Sequence, residues 1–278
     1  MTGPETSEWR LIREEARDGP SNMALDEVAA RTAASGGPRT LRVYRWEPST
    51  LSLGYHQDPK TIDWNYCERE GITVTRRPTG GGAIYHDYVG DISYSIVAPA
   101  DELPGNLLSC YEMLCEPVLD AFSRMGVPAT FAASKRPALY EPACYLRELH
   151  PAHDVVVETE TGPKKVSGNA QYRQRDAVIQ HGSLTFASQP TRHLACFAES
   201  NADRDAFEGR VTSIEAVAGI DRETAVSTLE DTLAEWADAT AGDWTAEELA
   251  AGREVAKRKF ESREWTREAI EPRETAVE

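Results

Sequence analysis

The sequence predicts a single α/β domain, with strands dominating its first two thirds and helices its C-terminal part. Three observations carry this. Short runs that alternate apolar and polar residues recur up to Phe186, one long stretch at 106–125 has helical periodicity, and after Pro190 the periodicity is helical. A chain of 278 residues with 40% hydrophobic content can also bury a sizeable core.

Taken in order, residues 1–20 read as an N-terminal extension, and the domain begins at Ser21. Residues 21–31 have a helical pattern, with Ser21 as N-cap and Ser35-Gly-Gly-Pro38 as the stop. Residues 40–45 and 50–55 alternate as strands on either side of the Trp46-Glu-Pro-Ser49 turn. A short helix over 62–70 leads to a strand at 72–75; a glycine-rich link follows, a second β-rich run begins at Ala83, and another strand covers 91–97. On the 106–125 helix, Leu107, Tyr111, Leu114, Val118, Phe122 and Met125 form one apolar face, with Cys110 and Cys115 on or beside it as small buried hydrophobes. Residues 128–151 carry four prolines and no period, which predicts a long loop of functional interest. Residues 154–158, 165–171 and 177–186 read as a three-strand meander. In the helical part, Val226, Leu229, Leu233 and Trp236 make a stripe, and Thr245 with Glu248 opens another helix as a capping box. The domain is expected to close at Trp265, leaving 266–278 as a flexible tail.

The formal charge is -16, arginine far outnumbers lysine, and the acids are dispersed along the chain. That pattern suggests a protein kept soluble in a salt-rich cytoplasm, and it argues against nucleic acid as a partner, because phosphate neutralisation needs a basic face. No apolar run reaches 18 residues and the N-terminus lacks the pattern of a signal peptide, so a cytoplasmic, membrane-free location is expected. The five cysteines are odd in number and include no C-x-x-C pair, which argues against a disulfide framework and against a zinc site.

The organising stretch is 76–87, Arg-Arg-Pro-Thr-Gly-Gly-Gly-Ala-Ile-Tyr-His-Asp. Glycines 80, 81 and 82 allow a ligand to approach the backbone, while Arg76 and Arg77 are expected to supply fixed positive charge, a seat for a carboxylate or phosphate. His86 lies just beyond. Lys165 opens Lys-Val-Ser-Gly-Asn-Ala, whose small residues Gly168 and Ala170 let a ligand pass close to the strand. An ammonium there can stabilise developing negative charge, and as a cleft residue it is expected to contribute little to stability. His181 is read as a sheet histidine that supports the site. Cys144 differs from the other cysteines because it lies in the irregular loop Glu-Pro-Ala-Cys-Tyr, where a nearby ammonium would favour the thiolate that attacks carbonyls.

Five ordered stretches carry a resemblance: Ser-Asn-Met-Ala-Leu-Asp (21–26), Tyr-Arg-Trp-x-Pro-x-Thr-Leu-Ser-Leu-Gly-Tyr (44–55), the glycine stretch 76–87, Lys-Val-Ser-Gly-Asn-Ala-Gln (165–171) and Val-Ile-Gln-His-Gly-Ser-Leu (178–184). From Ser21 to Trp265 the chain resembles the lipoate–protein ligase A and octanoyltransferase family. The resemblance implies an α/β catalytic domain with a mixed sheet, of the kind shared with biotin–protein ligase, closed by C-terminal helices. It also implies that Arg77, Gly80, Gly81, Gly82 and His86 line the acyl tunnel and anion site and that Lys165 contacts the reacting carbonyl or acyl phosphate; Thr79, Gly168, Ala170 and His181 are expected to bind substrate beside them, and no metal site is expected.

Within the family, Gly82 and Tyr85-His-Asp look like the ATP-dependent ligases, whereas residues 50–55, Gln180-His-Gly-Ser183 and Cys144 with its aromatic follower look like the cysteine-dependent octanoyltransferases. The spacing between Cys144 and Lys165 is longer than the transferase pattern. The implied activity is attachment of an octanoyl or lipoyl group to the lysine of a lipoyl domain in a 2-oxoacid dehydrogenase E2 or a glycine cleavage H protein. Transfer through a Cys144 thioester from an octanoyl or lipoyl donor requires no cofactor. The alternative is ligation through lipoyl-adenylate, which requires ATP and Mg and leaves room for an accessory chain as partner. An acyl-binding module without chemistry and a biotin ligase are the remaining readings.

Overall fold

The computed structural model describes residues 8–272. Its strands and helices follow in the order β1 (Trp9–Arg17), α1 (Gly19–Ala34), β2 (Arg39–Trp46), β3 (Thr50–Leu53), α2 (Trp64–Arg69), β4 (Thr73–Arg76), β5 (Ile84–His86), β6 (Asp91–Pro99), α3 (Leu107–Arg124), β7 (Ala129–Phe131), β8 (Asp154–Thr159), β9 (Gly162–Arg173) and β10 (Ala177–Thr185). The C-terminal part contains α4 (Pro190–Ala195), α5 (Arg204–Arg210), α6 (Ile214–Ala218), α7 (Arg222–Ala237), β11 (Thr240–Ala241), α8 (Ala246–Val255) and α9 (Arg263–Glu268).

Eight strands form one mixed sheet in the order β11-β1-β2-β6-β10-β9-β8-β7, and β4-β3-β5 form a small second sheet. β1 runs parallel to β2 and β11, and the remaining neighbours in the large sheet are antiparallel. Alternation along the central strands divides the core. Ile92, Tyr94, Ile96 and Ala98 of β6 join Leu114, Val118 and Phe122 of α3 and Leu229 and Leu233 of α7 on one face; Val97 and Ile179 join Leu25, Ala29 and Ala30 of α1 on the other. The small sheet packs with Tyr145, Leu146, Phe197 and Phe207 into a separate apolar cluster. That cluster is the bed on which the Cys144 loop rests.

Several expectations are corrected. Residues 1–20 are not all an extension, because Trp9–Arg17 is a sheet strand; residues 1–7 lie outside the described part. Its charged pattern hides it, since Arg10 is buried and paired with Glu248 at 2.6 Å. The N-cap of α1 is Asp18, whose side chain accepts from the Ser21 N–H. β3 stops at Leu53, and the 128–151 stretch contains β7 and a 3₁₀ turn at Cys144–Leu146. The chain after Pro190 includes the two-residue strand β11, which covers the edge of β1. Leu107 is exposed rather than core. Of the expected tail, 266–268 complete α9, Thr266 is buried and Glu271 pairs with Lys259; residues 273–278 lie outside the described part. The meander β8–β9–β10 and the Thr245–Glu248 capping box are as expected.

Candidate active site

One cavity of 510 Å³ collects most of the residues that the sequence singles out: Arg77, Gly80, Gly81, His86, Cys144, Lys165, Gly168, Ala170 and His181 all line it. The glycine loop and the β9 strand therefore face each other across shared space. Met23, Tyr44, Trp46 and Ile84 give part of the wall a buried apolar surface. A volume of this size is in the range for small-molecule sites.

A register shift places the lysine. Opposite β8, Val155 pairs with Ser167 and Val156 with Lys165, so Val166 is one residue more than the ladder needs. This bulge puts Lys165 on the same face as Gly168, which strict alternation would prevent. A Cβ on Gly168 would meet Lys165 Nζ at 3.1 Å and Cys144 Sγ at 3.9 Å. Glycine leaves that space to the reacting groups.

Lys165 is 3% exposed, and its Nζ lies 2.6 Å from Asp154 Oδ1 and 3.9 Å from Cys144 Sγ. Burial alone would lower the ammonium's pKa, but the Asp154 charge and hydrogen bond outweigh it and hold Lys165 above the ordinary lysine range. Burial would likewise raise Asp154; Lys165, then His153, outweigh it and hold the carboxyl well below the usual carboxylate range. The pair is ionised. Lys165 is thus not the lightly held cleft residue that the sequence suggested, because its removal strands a buried carboxylate.

Cys144 is half-buried, whereas the other four cysteines are buried. The Cys144 N–H donates to the Ala83 carbonyl at 2.8 Å and the Ala83 N–H to the Pro142 carbonyl at 2.7 Å, so the cysteine loop is stitched to the end of the glycine loop. Gly82 permits this approach: a Cβ there would lie 2.7 Å from Pro142 O and 2.9 Å from Cys144 N. Gly82 is not on the cavity wall. Its contribution is to seat Cys144.

The two arginines do not provide the expected free charge. Consecutive residues at the end of β4 point to opposite sides. Arg76 turns away from the cavity and donates to the carbonyls of Gly54, Tyr55, Gln57 and Trp265, tying the C-terminal segment to the β3 end. Arg77 faces the cavity, but its guanidinium donates to the carbonyls of Ser52, Gly80 and Gly82 and thereby fixes the glycine loop's shape. Gly81 has φ of +99°, and that left-handed turn requires glycine.

Both histidines are buried in networks. His86 Nε2 lies 2.9 Å from Ser52 Oγ, its Nδ1 3.3 Å from Asp91, and its ring stacks on Trp46 at 4.1 Å. Burial pulls its pKa down, with Asp91 opposing. Thr79 is off the cavity wall and reaches the site through His181, with Oγ1 at 2.8 Å from Nε2. His181 in turn faces Asp26 at 3.6 Å, and Asp26 binds Arg42 and Ser95.

The sequence reading missed Asp154, His153, Tyr145 and the buried Asn22–Asp26–Arg42 group. In the sequence Asp154 only opens an apolar strand; an acid heading Val-Val-Val is the available signal. Tyr145 lies with its ring 5.6 Å from Lys165 Nζ, and its hydroxyl accepts from Thr185 at 2.9 Å. In the sequence it stands out only as the aromatic follower of Cys144.

Comparison with known proteins bears on the family and the fold. The family described as lipoyl protein ligase A/B catalytic domain matches residues 18–236. Octanoyltransferase LipM of Kyrpidia tusciae is 34% identical over 278 residues, spanning 92% of this chain and 97% of that protein. Octanoyltransferase LipM of Exiguobacterium sp. AT1b is 32% identical over 221 residues, 76% of each chain. Among solved structures, a bi-partite lipoate protein ligase from Thermoplasma acidophilum superposes with a TM-score of 0.76 at 22% identity, covering 98% of this chain and 100% of that one. A lipoate-protein ligase A bound with ATP gives 0.77 at 23% identity, covering 95% and 100%. These two likenesses concern the fold, which they match over nearly its whole length. The chain belongs to the lipoyl protein ligase A/B catalytic-domain family.

Proposed function

We propose that this chain is an octanoyltransferase that carries the acyl group on Cys144 and delivers it to a lysine of a lipoyl domain, in an E2 or an H protein. The observation that carries the reading is Cys144 Sγ at 3.9 Å from the Lys165 ammonium, on the wall of a cavity with an apolar part. The Cys144 thiolate attacks the carbonyl of an octanoyl thioester; a new C–S bond forms, the donor's C–S bond breaks, and the donor thiol leaves. The neutral acceptor amine then attacks the enzyme thioester; the N–C bond forms, the C–S bond breaks, the Cys144 thiolate is released, and the amine proton passes to solvent. At about 4 Å and an effective dielectric of ~20, an ammonium stabilises a unit negative charge by about 4 kcal/mol. Asp154 on its other side offsets part of this.

The apolar surface of Met23, Tyr44, Trp46 and Ile84 holds the eight-carbon chain, and no nucleotide enters the reaction. The test is to incubate the chain and a purified lipoyl domain with octanoyl thioester alone, or with lipoate and MgATP, and to weigh the products. Octanoylated domain from the first mixture supports the reading; modification only in the second contradicts it.

We place the protein in a salt-rich cytoplasm on the strength of its dispersed acids, and among the described residues no helix is long and apolar enough to cross a membrane. A melting temperature that holds or rises with potassium chloride supports this, and a steady fall contradicts it.

A further inference from the structure

Asp91 is not on the cavity wall, yet the hydrogen bonds of three wall residues, Ser93, Ser183 and His86, end on its carboxylate. That side chain is buried. Its Oδ2 accepts from the Ser93 hydroxyl at 2.6 Å, and Ser93 Oγ accepts from the Trp46 indole N–H at 2.9 Å. Its Oδ1 accepts from the Ser183 hydroxyl, which leaves Ser183 Oγ to accept from the Tyr145 hydroxyl at 3.3 Å. The third arm runs through His86, whose Nδ1 lies 3.3 Å from Oδ2.

Chemistry fixes the direction of every bond in that third arm. Burial pulls the His86 pKa down, so the ring is neutral at pH 7 and carries one proton. A carboxylate only accepts, which puts this proton on Nδ1 and leaves Nε2 with a lone pair. Ser52 Oγ, 2.9 Å from Nε2, must then donate its hydrogen to the ring, and it accepts in turn from Arg77 Nη1 at 3.3 Å. The same guanidinium holds the Gly80 and Gly82 carbonyls at 2.8 and 2.7 Å, and Gly82 leaves the space into which the Cys144 loop fits. We propose that Asp91 is a positioning residue: through His86 and Ser52 it orients Arg77, and with it the glycine loop on which Cys144 is seated. The purpose of that seat rests on the thioester reading above. The other two arms hold Trp46 on the apolar wall and Tyr145 beside Lys165.

Two measurements on the full chain test this. In NMR of isotope-labelled histidine at pH 7, His86 should show a protonated Nδ1 and a bare Nε2, its signals identified by their loss in His86→Gln. In single turnovers from octanoyl thioester, followed by the mass gained on Cys144, Ser52→Ala should slow loading about tenfold, the worth of one hydrogen bond. Asp91→Ala should slow it about 10²-fold, the cost of a misplacement of about 1 Å. The thioester concentration at half-maximal rate should change less than threefold in Ser52→Ala. Because both residues act through one chain, adding Ser52→Ala to Asp91→Ala should cost nothing further. A His86 proton on Nε2, a wild-type loading rate in Ser52→Ala, or losses that multiply in the double variant overturn the assignment and leave the thioester standing. The first two decide the matter even if Asp91→Ala does not fold. A wild type that takes no octanoyl mass on Cys144 overturns both.

Discussion

Removing either member of the Asp154–Lys165 pair should cost more than removing both. Asp154 is 2% and Lys165 3% exposed, their charged atoms are 2.6 Å apart, and each shifts the other's ionisation toward the charged form. Asp154→Asn leaves an unpaired buried ammonium, and Lys165→Met an unpaired buried carboxylate; each should lower stability by ~3–5 kcal/mol. If the sites were independent, the double variant would lose about 6–10 kcal/mol. Because the charges vanish together, it should instead lose no more than either single change, a coupling of several kcal/mol. Urea unfolding of the four proteins at pH 7 measures this. Additivity within ~0.5 kcal/mol would refute the claim that the pair is a buried, mutually dependent unit.

Three further outcomes follow from the same geometry. With Lys165 raised and Asp154 depressed, the pair's contribution is fully present between the ordinary carboxylate and lysine ranges, is lost only as pH falls through Asp154's lowered value or rises through Lys165's raised one, and so gives no stability slope from about pH 5 to 10; a variant-sensitive slope inside that window counts against it. His193 is pushed down to about 3 by burial and then by His86, so the unfolded chain binds its proton first and stability falls by ~1.4 kcal/mol per pH unit below about 6.5. His193→Phe should flatten that acid limb in urea melts, and an unchanged limb removes His193 from the account. Gly82→Ala should displace the Cys144 loop, because the new methyl would lie 2.7 Å from a backbone carbonyl; a shift of about 1 Å costs about 10²-fold in transfer rate, and a wild-type rate would show the seat is not needed.

Much of the fold is legible in the sequence because its signals are local. Alternation in 91–97 and 177–186, the face of 106–125 and the Thr245–Glu248 box each depend on a few neighbouring residues, and apart from the exposed Leu107 each forms as read. The strand Trp9–Arg17 escapes because its arginines and glutamates are matched by residues about 200 positions away, such as Glu230 and Glu248, and by Arg222 on Glu14. At the site, Cys144, Lys165 and the glycines are visible as residue types, but their roles depend on geometry. A one-residue bulge at Val166 decides which way Lys165 points, and the side-to-side alternation of a strand end decides that Arg77 holds the loop while Arg76 holds the C-terminus. Asp154 looks like any strand-opening acid until folding places it on Lys165.

The central claim is that Cys144 carries the acyl group, and intact-protein mass after incubation with an octanoyl thioester and no nucleotide tests it most directly. The account predicts that the wild type gains the mass of one octanoyl group, that hydroxylamine removes it, and that Cys144→Ser gains none. An unmodified wild type, with Cys144→Ser fully active and every turnover dependent on MgATP, would contradict it.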